Sequence, residues 1–312
     1  MSGLLIKNKD LPVPKLKLNF SGHETFTFRY TWLKKVVDAI SQDSLLFDRE
    51  TALSELGVGK NMVYSMKHWG VLTEVIQKAE EKTSGYNVTE FGKNLFSDNG
   101  WDPYLEDIAT LWLLHWKISN NINIATTWYF VFNRLTQIEF TKEQLINELV
   151  LFAEVNGIKC SPAIIERDVQ CFIRTYVSSK DIKPAIREDG LDCPLTELSL
   201  IQELGQRGLY VFMRGQQREL SNEIFTYSLI DYWNKLHCDK DILSFDALAY
   251  GHGSPGLVFK IDEDSLTYRL EGLEKLTKGA LRYDETSRIR QIYRIKNTNP
   301  NDYLKKYYQQ FL

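Results

Sequence analysis

The sequence predicts a mainly α protein in which winged helix-turn-helix modules, with small β-hairpin wings, flank a helical middle domain. Three observations predict it. Residues 44–97 run helix, glycine turn, helix, hairpin. Residues 242–296 repeat that order less regularly. Between them, from Pro103 to Val177, apolar residues recur at helical rather than strand spacing. The expected division is an N-terminal arm and helix over 1–43, a winged helix over 44–97, a helical domain over 98–205 and a second winged-helix-like domain over 206–312.

Residues 1–19 carry two prolines and no helical period, which predicts an extended arm. Trp32, Val36, Val37 and Ile40 form one stripe of a helix from about Arg29 to Ile40. Asp48–Leu56 follows as a helix closed by Gly57, where a left-handed backbone conformation is least costly. After Val58-Gly59, Lys60–Trp69 forms the next helix, with Met62, Val63, Met66 and Trp69 inward. Its other face shows Lys60, Asn61, Tyr64, Ser65, Lys67 and His68, with no acid among them. Val71–Gln77 and Tyr86–Thr89 are two strands joined by a polar loop.

Asp102-Pro103 is an N-cap followed by proline at the first helical position, leading into the apolar stretch Ile108–Ile118. Thr126–Leu135, Thr141–Val155 and Pro162–Val177 are further helices, the second opened by a Thr141/Gln144 capping box. Leu209–Met213 is a short strand, and Ser221–Leu236 an amphipathic helix. In the second module Asp264–Leu276 is the last helix and Ala280–Ile295 the hairpin.

Composition excludes several classes. With 43% hydrophobic and 25% charged residues the chain is not mostly disordered. No apolar run approaches the roughly 20 residues of a membrane-spanning helix. The N-terminus lacks an export signal, and four scattered cysteines fit a reducing cytoplasm rather than a zinc module or a disulfide scaffold. Residues 1–36 hold seven Lys/Arg against two acids and residues 266–312 ten against five, so two basic ends flank an acidic body. That asymmetry points weakly to a polyanion, and solvated ends explain it as well.

The lysines of the 60–69 face suit phosphates, and Asn61 and Ser65 suit base edges. Packing against protein is the alternative use of such a module. On the second hairpin, Arg288 and Arg290 are placed to touch phosphates.

Phe20-Ser-Gly-His-Glu-Thr-Phe26 concentrates chemistry between two aromatic anchors. His23 could transfer a proton, Glu24 could hold a metal, and Arg29 could grip phosphate. The plain alternative is a hydrogen-bonded turn. Asp102 and Glu106, beside Asp107, could bind a hard cation such as Mg2+ or Mn2+, or could cap a helix start. His115 suits a core position. Arg167, Asp168 and Arg174 share one helix, as a basic stripe or an internal ion-pair network.

Four segments carry a resemblance. They are Phe20–Phe26, Gly57-Val-Gly-Lys-Asn-Met62, Asp102-Pro-Tyr-Leu-Glu-Asp107 with Ala109–Trp116, and Ser254-Pro-Gly-Leu-Val-Phe-Lys260 with Asp262–Asp264. Together they resemble the SspB family, the DNA-nicking component of the bacterial single-stranded DNA phosphorothioation (Ssp) systems. The resemblance spans roughly residues 17–296. It implies a role in phage defence beside a cysteine desulfurase, an ATP-pyrophosphatase-type enzyme and an ATPase. It also implies a nick that opens a strand so that sulfur replaces a non-bridging phosphate oxygen. It transfers no catalytic residue.

The expectation is therefore a cytoplasmic protein that binds duplex DNA and nicks one strand with a divalent metal. His23, Glu24 and Arg29 would be catalytic, and Glu24, Asp102 and Glu106 would hold the metal. Lys60, Asn61, Ser65, Lys67, His68, Arg288 and Arg290 would contact DNA. A non-catalytic adaptor that recruits sulfur-transfer enzymes is the rival, and a protein-only scaffold a third.

Overall fold

The computed structural model describes residues 17–79, 84–178, 193–205, 208–286 and 289–310. The fold is mainly α, with three small antiparallel sheets among the described residues. No described helix is long and apolar enough to cross a membrane.

The first region holds α1 (Trp32–Gln42), α2 (Ala52–Leu56), α3 (Lys60–Leu72), β1 (Ile76–Lys78), β2 (Tyr86–Val88) and α4 (Glu90–Phe96). α1 buries the expected stripe of Trp32, Val36, Val37 and Ile40. Leu46–Asp48 forms a separate 3-10 turn, so α2 starts later than Asp48. Gly57 closes α2 at φ 66°, as its position predicts.

α3 runs past Trp69 because a Schellman motif ends it at Leu72. Val75 N–H donates to Gly70 O and Glu74 N–H to Val71 O, both at 3.1 Å, with Glu74 at φ 61°. The expected strand from Val71 therefore begins only at Ile76, opposite Val88. Tyr86 N–H also donates to Ser44 O at 2.8 Å, tying the hairpin to the segment before α2.

The middle holds α5 (Ile108–Ser119), α6 (Thr126–Asn133), β3 (Glu139–Thr141), α7 (Lys142–Val155), α8 (Pro162–Tyr176), β4 (Ile201–Leu204) and β5 (Leu209–Phe212). α5 is buried from Ala109 to Ser119, as a helix apolar all round must be. Its cap is Asp107, not Asp102. The Thr141/Gln144 capping box forms as expected. The middle is not helical throughout, because β3, β5 and β4 make a sheet in that order. The β4–β5 hairpin straddles residue 205, where a boundary was expected.

The last region holds α9 (Asn222–Leu236), β6 (Ile242–Ser244), α10 (Phe245–Tyr250), α11 (Pro255–Val258), α12 (Glu263–Glu271), α13 (Leu273–Leu276), β7 (Leu281–Thr286), β8 (Ile289–Arg294) and α14 (Pro300–Tyr308). The expected single helix Asp264–Leu276 is broken at Gly272 into α12 and α13. Its sheet order is β6-β8-β7, so in both three-stranded sheets a short leading strand pairs with the last strand of the hairpin. α14 folds back, and Tyr308 stacks on Trp101 at 4.9 Å. One apolar core runs through all three regions, and each large side chain in it contributes roughly 1.5–3 kcal/mol.

Candidate nucleic-acid interface

α3 places Lys60, Tyr64 and Lys67 on one exposed face, three and four residues apart. The two ammonium groups lie 5.9 and 5.4 Å from the centre of the Tyr64 ring. Asn61 is exposed beside them. α3 contains no carboxylate.

Two residues expected on that face are turned elsewhere. At about 100° per residue, Ser65 falls about 40° from Trp69 and about 20° from Leu72, on the inner side. It is fully buried, and its hydroxyl donates to Phe26 O at 3.4 Å. His68 stands at the edge between faces, with Nε2 buried and no hydrogen-bond partner. Burial, helped by His23, pushes its pKa down to about 3, so it is neutral at pH 7 and adds no charge for phosphate.

Against this inner side sits the 20–26 turn. Trp69 Nε1–H donates to Phe26 O at 2.9 Å. Gly22, at φ 112°, is packed so closely on His68 that a Cβ there would lie 2.5 Å from Nδ1. Glu24 (φ 48°) and Thr25 (φ 65°) are both left-handed, a conformation costing about 1–3 kcal/mol for each non-glycine residue. Three bonds hold them. Thr25 N–H donates to His23 Nδ1 at 3.0 Å, His23 Nε2 meets Asp168 Oδ1 at 2.6 Å, and an Arg174 guanidinium N–H donates to Thr25 O.

That geometry changes the part expected of His23. Its Nδ1 accepts, so the proton sits on Nε2 and is given to Asp168. Both ring nitrogens are occupied and the residue is buried. In this conformation His23 positions the turn and offers no nitrogen to a substrate. Asp168 Oδ2 and Trp128 Nε1, the latter on a ring 5.8 Å from His23, are buried without hydrogen-bond partners among the described residues.

Two depressions flank the turn. One, of about 230 Å3, lies between Phe20–Thr25 and the α8 residues Ile164 and Arg167. The other, of about 350 Å3, lies between the turn and Tyr64, Lys67 and His68 of α3. Both include Gly22 and Glu24. Glu24 is thus an exposed carboxylate on a ridge, with Lys67 lining one side and Arg167 the other. Arg29 lines neither depression; its guanidinium lies 5.7 Å from the Trp32 ring.

The expected metal ligands do not assemble. Asp102 is buried, and its carboxylate accepts the backbone N–H groups of Glu106 (2.8 Å) and Asp107 (3.1 Å). It therefore fixes a turn, the use that acids at helix starts commonly have. No group of three or more His, Cys, Asp or Glu able to hold a metal occurs among the described residues. Glu24, Asp102 and Glu106 consequently do not fit a divalent ion as one ligand set.

Arg290 is also committed internally. Its guanidinium lies 3.6 Å from the Phe245 ring centre and 3.1 Å from Glu263. Arg288 lies outside the described residues. The pairing of Asp168 with His23 spans 145 positions and had no signal in the sequence, although Arg167, Asp168 and Arg174 stood out as a charged group.

The DUF4007 family, described as a protein of unknown function, matches residues 20–308. Two solved structures are similar. The chain is 28% identical to a magnesium ion-bound SspB crystal structure, with TM-score 0.83 over 93% of this chain and 88% of that one. It is 27% identical to an SspB crystal structure, with TM-score 0.82 over 95% and 90%. No curated protein matches the sequence.

Proposed function

The chain belongs to the DUF4007 family and resembles SspB over most of its length, and on that premise we propose that it serves an Ssp phosphorothioation system by binding duplex DNA and nicking one strand. The carrying observation is the acid-free face of α3, with Lys60, Asn61, Tyr64 and Lys67, set beside the Glu24 ridge. The order α2, Gly57, α3, β1–β2 supports a winged-helix reading, with α3 in the groove. Lysines there neutralise phosphates, and Arg167 and Lys67 lie where a backbone beside Glu24 would need cations.

The nick is a phosphodiester hydrolysis. Glu24 takes a proton from water, the resulting hydroxide attacks phosphorus, and the bond to one sugar oxygen breaks as that oxygen gains a proton from solvent. Arg167 and Lys67 stabilise the charge that develops. His23, held by Asp168, keeps Glu24 in place. The magnesium of the similar SspB structure favours a divalent ion for this chain too, but Glu24, Asp102 and Glu106 do not form its site. The desulfurase, the ATP-pyrophosphatase-type enzyme and the ATPase are the expected partners, in the cytoplasm.

The test is relaxation of supercoiled plasmid with Mg2+ or Mn2+ and a chelated control. Open-circular product that disappears in Glu24→Gln supports the assignment; product that persists in Glu24→Gln overturns it. The engaged nitrogens of His23 favour a second reading, a non-catalytic DNA-binding adaptor. It predicts retardation of a duplex, weakened by Lys60→Ala and Lys67→Ala, with no cleavage under any metal.

A further inference from the structure

A third depression, of about 250 Å3, opens where α9 begins beside α12, and shares no residue with the two at the turn. Its chief lining residues are Gln216, Arg218, Asn222, Ser265, Tyr268 and Arg269. None of its lining residues is acidic. Arg269 forms a fixed floor and is only 8% exposed. It donates to Asn222 Oδ1 (2.9 Å) and to the carbonyls of Gln216 (3.2 Å) and Gln217 (2.8 Å), so no carboxylate balances its charge through these bonds. Arg218 is exposed, its stem steadied by Nε–H donating to Gln216 Oε1 at 3.1 Å.

Tyr268 differs from its neighbours on α12. Leu266 and Leu270 are buried, yet the Tyr268 ring is 68% exposed at the pocket. An aromatic ring in water beside two guanidinium groups matches a ligand that is both flat and anionic. A simple carboxylate or an acidic peptide would use the cations and leave the ring unexplained.

We propose that this pocket binds a phosphorylated nucleoside, with its base stacked on Tyr268 and its phosphate held by Arg218 above the Arg269 floor. The ligand is either a free nucleotide or an unpaired nucleotide of a strand, and the chemistry is the same for both. The proposal does not depend on duplex binding by α3.

The experiment uses the full chain and two sets of probes. The first is dAMP against deoxyadenosine, followed by ligand-observed NMR. The second is a blunt duplex against the same duplex bearing one unpaired nucleotide, followed by fluorescence anisotropy. Tyr268→Ala is expected to weaken dAMP binding about tenfold and Tyr268→Phe by less than about twofold, as stacking requires. Arg218→Ala should weaken dAMP but not deoxyadenosine, with unchanged melting temperature. A preference for the unpaired nucleotide that vanishes in Tyr268→Ala assigns the strand as source; dAMP binding without such a preference assigns the free nucleotide. The proposal is overturned if wild type neither saturates with dAMP nor prefers the unpaired nucleotide, or if both alanine variants bind as wild type does.

Discussion

α3 and α12 each precede a β-hairpin, but their surfaces differ in kind. α3 holds its lysines outward around Tyr64, with no acid on the helix. α12 carries Glu263, Asp264 and Glu271, while its one cation, Arg269, is buried against backbone carbonyls. The hairpin after α12 spends Arg290 on Glu263 and Phe245. A repeated order of elements therefore does not repeat a binding surface; the side chains decide what each can touch.

The largest expected effect separates two side-chain pairs, one in each region. His23–Asp168 is buried and Arg290–Glu263 is exposed. Asp168→Ala should cost about 3 kcal/mol in urea unfolding, because it leaves the buried His23 Nε2–H without its acceptor. Glu263→Ala should leave the urea midpoint nearly unchanged, because the exposed pair is screened by solvent. Equal losses would erase the contrast.

Acid comes next, because each region rests on a buried neutral histidine. His68 belongs to α3, its ring packed against Gly22. His115 donates from Nε2 to Val258 O of α11 at 2.9 Å. Burial lowers both to about 3. The unfolded chain takes up protons near pH 6.5 that the fold refuses, so stability is full above that pH and falls below it. By pH 5 each contributes about 2 kcal/mol of loss. His68→Gln and His115→Gln should each flatten the fall in melting temperature between pH 7 and 5, and unchanged slopes would count against this account.

DNA affinity gives the third test. Lys60→Ala with Lys67→Ala should weaken a blunt duplex about tenfold and lower the log–log salt slope by about two. Arg290→Ala, the smallest effect, should change affinity less than about twofold, since its charge is already met. A larger loss from Arg290→Ala than from the lysine pair would reverse the assignment of surfaces.

Much of this was legible in the sequence because it is local. Gly57 announces the end of α2, Thr141 and Gln144 announce their capping box, and the Lys60–Tyr64–Lys67 spacing announces an exposed face. What was not legible depends on distant partners. Nothing near position 23 specifies Asp168, and nothing near 139–141 specifies pairing with 209–211. Ser65 was misplaced because a small polar residue is tolerated inward when a carbonyl such as that of Phe26 is within reach. The strand expected from Val71 is cut short because Glu74 ends α3 in a left-handed conformation, which an acid adopts rarely and signals by nothing local.

The bond between His23 and Asp168 also fixes an order of events during synthesis. A ribosome delivers α3 early, yet the anchor of the neighbouring turn lies 145 positions after His23. A nascent chain can thus display its lysines before the Glu24 ridge is secured, and the complete arrangement waits for α8.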